Sequence, residues 1–183
     1  MKTASLFLLL IFCFTACKKD ALIASKNEQK TPIKPDTIPD KAGFKIKLYK
    51  GNSDYDETMF LFDHRSSTNY CANEDAGYLV GFGQVSLASI SHDGRDLAIN
   101  RLPYKPGMSI GLDFHTKTNG EFYLALDYEN KIPGDIAIWL QDTYLKDSID
   151  VCTGSYTFNV IRADTNSFGN KRFRLIIKEQ SQK

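Results

Sequence analysis

The sequence predicts an all-β domain, an antiparallel two-sheet β-sandwich of jelly-roll or immunoglobulin-like type with about nine to ten strands. Three observations carry that prediction. From Gly43 onward apolar residues recur at every second position, the pattern of strands with one buried face. No stretch of useful length repeats apolar residues at helical spacing. Turn-forming pairs such as Asp93-Gly94, Asn119-Gly120 and Pro133-Gly134 punctuate the alternating runs.

The first strand is Phe44–Tyr49, with Phe44, Ile46 and Leu48 on one face. Strands are expected next at Thr58–Phe62, Tyr78–Phe82, Val85–Ile90 and Leu97–Arg101. Then Met108, Ile110, Leu112 and Phe114 alternate with Ser109, Gly111, Asp113 and His115. Phe122, Leu124, Leu126 and Tyr128 follow, and the intervening Asn119-Gly120 predicts a hairpin. Ile136–Gln141, Tyr156–Ile161 and Arg172–Lys178 complete the set. A single domain over residues 42–183 is large enough to bury a core without metal or extra staples.

Ahead of that domain, Lys2 and the apolar run Leu6–Phe14 form a signal peptide over residues 1–16. The run is far shorter than the roughly 20 residues that cross a bilayer. Phe14-Thr15-Ala16-Cys17 resembles a bacterial lipobox, with Phe14 in place of the usual Leu, so Cys17 is the expected lipidation site. Several acyl chains, at about 0.8 kcal/mol per buried methylene, hold a protein on a membrane. Residues 17–41 then read as the lipidated cysteine and a tether, rich in charge and carrying three prolines, which can reach roughly 80 Å when extended.

The 183 residues hold 23 basic and 22 acidic side chains, and removing Lys2 with the signal balances the two. No overall field points to nucleic acid. With Cys13 in the signal and Cys17 lipidated, Cys71 and Cys152 remain in a compartment where thiols oxidise. A Cys71–Cys152 disulfide is expected, closing a loop of about 80 residues worth roughly 4–5 kcal/mol; the alternative is that both stay reduced.

Catalytic signatures are missing: there is no Gly-x-Ser-x-Gly elbow, phosphate-binding loop, His-Glu-x-x-His pair or Cys-x-x-Cys site. His64, His92 and His115 lack ligand spacing, so no metal and no cofactor is expected. Asp54, Asp56, Glu57 and Asp63 offer the hard oxygens calcium prefers but lack its loop order. Asp127 and Asp142 can be imagined as a glycosidase pair, with nothing to fix their separation. Trp139 alternates with Ile136, Ile138 and Leu140 and so projects from the outer face, where an indole either stacks on a sugar or is covered by neighbours. Tyr144 is a second, weaker ligand-binding candidate, with Tyr70, Tyr78 and Tyr104 behind it.

An ordered series of short blocks gives the chain a likeness. Asp56-Glu57-Thr58, Leu97-Ala98-Ile99-Asn100-Arg101-Leu102-Pro103, Ile138-Trp139-Leu140-Gln141-Asp142, Tyr156-Thr157-Phe158 and Asn170-Lys171-Arg172-Phe173 occur in that order. The series resembles a β-sandwich module of Bacteroidota cell-surface proteins, found near the C-terminus of type IX secreted proteins, and here set on a short lipoprotein. The resemblance implies an envelope location, an accessory or adhesive role, no catalytic residues, and Asp142 as a strand-end turn residue. Asp36-Thr37-Ile38 also resembles that phylum's O-glycosylation pattern, which makes Thr37 a candidate.

These readings converge on a non-enzymatic lipoprotein anchored in the outer membrane, at its surface or periplasmic face, that acts as a binding or adhesion module. A glycan or an envelope protein is the expected partner besides the membrane itself. The alternatives are a glycan-binding module using exposed aromatics and, behind it, a hydrolase.

Overall fold

The computed structural model describes residues 38–180. The expected signal peptide, the expected lipidation site Cys17, most of the expected tether and the glycosylation candidate Thr37 lie outside them. Eleven strands make up the fold: β1 Gly43–Lys50, β2 Asp54–Phe62, β3 Ala76–Gly77, β4 Val85–Ile90, β5 Asp96–Leu102, β6 Met108–Thr116, β7 Gly120–Asn130, β8 Ile136–Asp142, β9 Asp147–Asp150, β10 Tyr156–Val160 and β11 Phe173–Glu179. No α-helix occurs among the described residues; a single 3-10 turn spans Thr165–Ser167.

The strands join in the order β10-β7-β1-β2-β5-β4-β6-β11-β8-β9, with β3 added on β5, and the sheet curls nearly shut into a barrel-like shape. Period-two alternation explains why it closes. Phe44, Ile46 and Leu48 of β1, Phe60 and Phe62 of β2, Leu112 and Phe114 of β6, Phe122 and Leu124 of β7 and Phe173, Leu175 and Ile177 of β11 are all buried. They face one another and form one core. Its centre is aromatic: the Phe114, Phe122, Phe158 and Phe173 rings meet edge-on or stacked, the tightest pair at 4.7 Å between centroids. Truncating one of these rings is expected to cost about 3–5 kcal/mol.

The structure departs from the sequence reading in five places. Ile38, which the sequence reading placed in the tether, is buried in the core. β2 and β5 pair in parallel, Met59 opposite Ile99, because the 63–95 segment between them is long enough for a crossover. β6 and β7 are not a hairpin. The turn at Asn119-Gly120 instead carries the chain across the core, from a strand paired with β4 and β11 to one paired with β1 and β10. Gly120 still serves the turn, at φ 121°. β9, sequence DSID, has no alternation to betray it and forms because the edge of β8 offers partners, Trp139 opposite Asp150. Finally, the expected strand Tyr78–Phe82 is not formed: the two-residue β3 ends just before it, and residues 78–84 form a loop.

The direction of the strands fixes two ends. The chain enters beside Phe62, whose carbonyl accepts from the Lys41 N–H, at the Gly43 end of β1. The Lys50 end of β1 and the Asp54 start of β2 lie about 24 Å away along the strand.

Candidate functional site

At that far end, four loops are tied to one another by hydrogen bonds. Asp54 accepts from the Gln84 N–H at 3.1 Å, which seats the base of the 78–84 loop on β2. The Lys117 N–H donates to the Gln84 carbonyl, and its Nζ donates to the Phe82 carbonyl at 3.2 Å. Arg162 joins the β6–β7 turn to the β10–β11 segment: its N–H donates to Asn119 Oδ1 at 2.7 Å and its guanidinium donates to the Thr116 carbonyl. Tyr144, in the β8–β9 turn, donates its hydroxyl to Asp164 at 2.8 Å. That bond pushes the Tyr144 phenol up from its ordinary value, while Asn166 N–H and then Tyr144 hold Asp164 low.

Beneath these loops lies a fully buried ion pair. Arg172 donates to Asp142 Oδ2 from Nη2 at 2.9 Å and from Nε at 3.1 Å, with both side chains completely shielded. Its Nη1 donates to the Asn159 and Ser167 carbonyls, and its guanidinium lies 4.5 Å from the Phe158 ring centroid and 5.1 Å from that of Tyr144. Asp142 in turn accepts from the Tyr144 and Leu145 N–H groups and from the Tyr156 hydroxyl. Burial, followed by the Asp142 charge, lifts the Tyr156 phenol to about 12. One pair thus braces β8, β10 and β11 and fixes the Tyr144 turn above them.

What the loops carry is apolar. Among the described residues the exposed large hydrophobic side chains are Tyr55, Leu79, Val80, Phe82, Tyr144, Leu145 and Ile161, and every one belongs to this end. Leu79, Val80 and Phe82 are 88, 79 and 103% exposed, on a loop whose Gly81 and Gly83 supply no cover. Two clefts open at this end. A cavity of about 620 Å³ is lined by Tyr144, Phe168, His115, Asp113, Asn166 and Lys171 among others. A smaller one, about 220 Å³, lies against Val80 and Gly81 and includes Lys117, Arg162 and the same His115 and Phe168.

The residues singled out from the sequence divide. Tyr144 lines the larger cavity, but Trp139 does not. Trp139 faces outward as its alternation requires, half-buried, with Lys178 Nζ 4.6 Å above its ring and Ile176 opposite it on β11. The two do not share a binding platform. Tyr78 is spent on Asp56, Tyr70 lies under Arg95, and Tyr104 packs edge-on against Phe62. The Asp54 to Asp63 carboxylates each hold a different partner, with Glu57 on Lys45 and Lys47 and Asp63 on Arg65, whose hydrogen bonds draw Asp63 down to about 2. Asp40, Asp63 and His64 bring ligand atoms within 4.8 Å, yet Arg65 occupies Asp63 and His64 Nδ1 lies 2.6 Å from Asp40. Asp127 pairs with Lys47 on the outer face and Asp142 is sealed inside, so they do not flank a groove. Asp142 is a strand-end turn residue. Cys71 carries a free thiol, in a loop where its own N–H is held by Asp75, while Cys152 sits exposed in the turn after β9; the expected Cys71–Cys152 bridge is not formed.

Leu79, Val80, Phe82, Phe168 and Arg162 were not singled out by sequence. The available signal was the largely apolar run Tyr78-Leu79-Val80-Gly81-Phe82 between Gly77 and Gly83, which has the composition of a strand. Comparison of the chain with protein-family models, with curated proteins and with solved structures gives no match.

Proposed function

We propose that the protein is a non-enzymatic, lipid-anchored module of the bacterial outer membrane, at its surface or periplasmic face, that binds or adheres through the loop end described above. The observation that carries this reading is the gathering of all the exposed large hydrophobics of the described residues on that end. Contiguous exposed apolar surface on a soluble domain marks an interaction site. The acid and the histidine that line the larger cavity, Asp113 and His115, are paired with each other, which supports binding over catalysis. The lipobox-like Cys17 and the resemblance to Bacteroidota surface modules supply the location. The two-sheet sandwich belongs to the same proposal: β10-β7-β1-β2-β5 and β4-β6-β11-β8-β9 are its two faces, and their narrow joint at Ser89–Leu97 and Ile90–Asp96 favours it.

A photo-crosslinking residue at Phe82 or Leu145 of the full chain tests the reading in cells. Adducts from these positions, with none from Arg174 on the outer face of β11, are expected. Adducts from Arg174 alone contradict it.

A second reading has its own observation. The larger cavity combines the Tyr144 and Phe168 rings with Asp113, Asn166 and Asn170, the mixture of stacking faces and polar groups that suits a sugar. A glycan array probed with the protein and with Tyr144→Ala separates the two. Signal lost with Tyr144 makes the ligand a glycan.

A further inference from the structure

We propose that the 78–84 loop seats on an anionic phospholipid bilayer, with Leu79, Val80 and Phe82 at the headgroup boundary and Lys117 and Arg162 on the lipid phosphates. This rests on the reading of the loop end as the binding surface and names its partner.

Both halves of the chemistry are on one surface. The three side chains are among the most exposed in the domain, and water gains nothing from them; a bilayer interface accepts aliphatic and aromatic groups at that depth. Directly beside them, the cleft of about 220 Å³ contains Lys117, Arg162 and His115 and no carboxylate. Lys117 is held against the loop by the Phe82 carbonyl, and Arg162 against the adjoining turn by Asn119 and Thr116, so the cations stand at the root of the apolar tip. Asp54, the acid at the loop's base, accepts from the Gln84 N–H and does not line this cleft. An apolar tip beside a cleft that holds two cations and no carboxylate is complementary to acyl chains under phosphate headgroups. A protein groove would match the tip but has no requirement for the bare cations. This contact is separate from an anchor at Cys17, because the chain enters the fold at the opposite end of β1 and β2.

Vesicle co-sedimentation of residues 38–183, which hold every core residue described and are first checked for a cooperative melt, tests the proposal. Vesicles of phosphatidylcholine alone are compared with vesicles also containing phosphatidylglycerol. The protein is expected on the anionic vesicles, and the L79S/V80S/F82S variant is expected to partition at least about tenfold less. K117Q/R162Q is expected to bind anionic and neutral vesicles alike and to lose its salt dependence. All five side chains are on the surface, and a cooperative melt verifies each variant. A folded protein that ignores anionic vesicles overturns the proposal, as does a triple variant that binds unchanged. If vesicles are ignored but the protein self-associates through Leu79, Val80 and Phe82, the lipid partner is wrong and the binding surface stands.

Discussion

Replacing Arg172 by Met removes the cation at the centre of the loop-bearing end while keeping much of its volume. Asp142 then stays fully buried with only the Tyr144 and Leu145 N–H groups and the Tyr156 hydroxyl to satisfy it. Losing one partner of a sealed ion pair costs about 3–5 kcal/mol. Two further carbonyls, of Asn159 and Ser167, lose their donor. For a domain of this size each kcal/mol is worth about 3–4 °C, so R172M is expected to melt roughly 10–20 °C below the parent. Adding D142N neutralises the orphaned charge while keeping an acceptor for the turn, and the double variant is expected to recover about 2 kcal/mol of the loss. Urea unfolding of the four proteins of that cycle gives the coupling directly. A single variant within 1 kcal/mol of the parent, or a double variant no better than R172M, refutes the argument that this pair braces the loops.

Other outcomes follow from the same structure. Trp139→Ala is expected to cost about 1–2 kcal/mol in a thermal melt, through loss of the Lys178 and Ile176 contacts, and to leave ligand binding untouched; lost binding would return Trp139 to the site. Asp63 has its folded-state acidity drawn down to about 2 by Arg65, so its contribution to stability is complete above its ordinary value near 4 and is lost as the pH falls from there towards 2. Asp63→Asn should therefore flatten the stability profile across that acid window, and an unchanged slope would contradict the Arg65 pairing. Cys17→Ala should release the protein from membranes after carbonate washing, and undiminished retention would remove the lipid anchor.

Period-two patterning exposes what is buried, because one face of each strand must leave water. Phe44, Ile46, Leu48, Leu112, Phe114, Phe173 and Leu175 could therefore be placed in the core from sequence. Patterning does not say which strand lies beside which, so the parallel β2–β5 pairing and the crossing at Asn119-Gly120 had no signature. Nor does it distinguish an apolar run that finds a partner edge from one that does not: Leu79, Val80 and Phe82 have strand composition and end in solvent. The Arg172–Asp142 pair joins residues 30 positions apart, each unremarkable locally. Tyr144 was visible as an exposed aromatic, but its cavity depends on loops that only the curled, nearly closed sheet brings together.

Hydroxyl-radical footprinting of the full chain, in intact cells and after purification in detergent, tests most directly whether the loop end is the binding surface. Leu79, Phe82, Tyr144 and Leu145 are expected to be protected in cells and reactive in the purified protein, while Trp139 reacts equally in both. Equal reactivity of the four in both states, with protection at Trp139, would contradict the account.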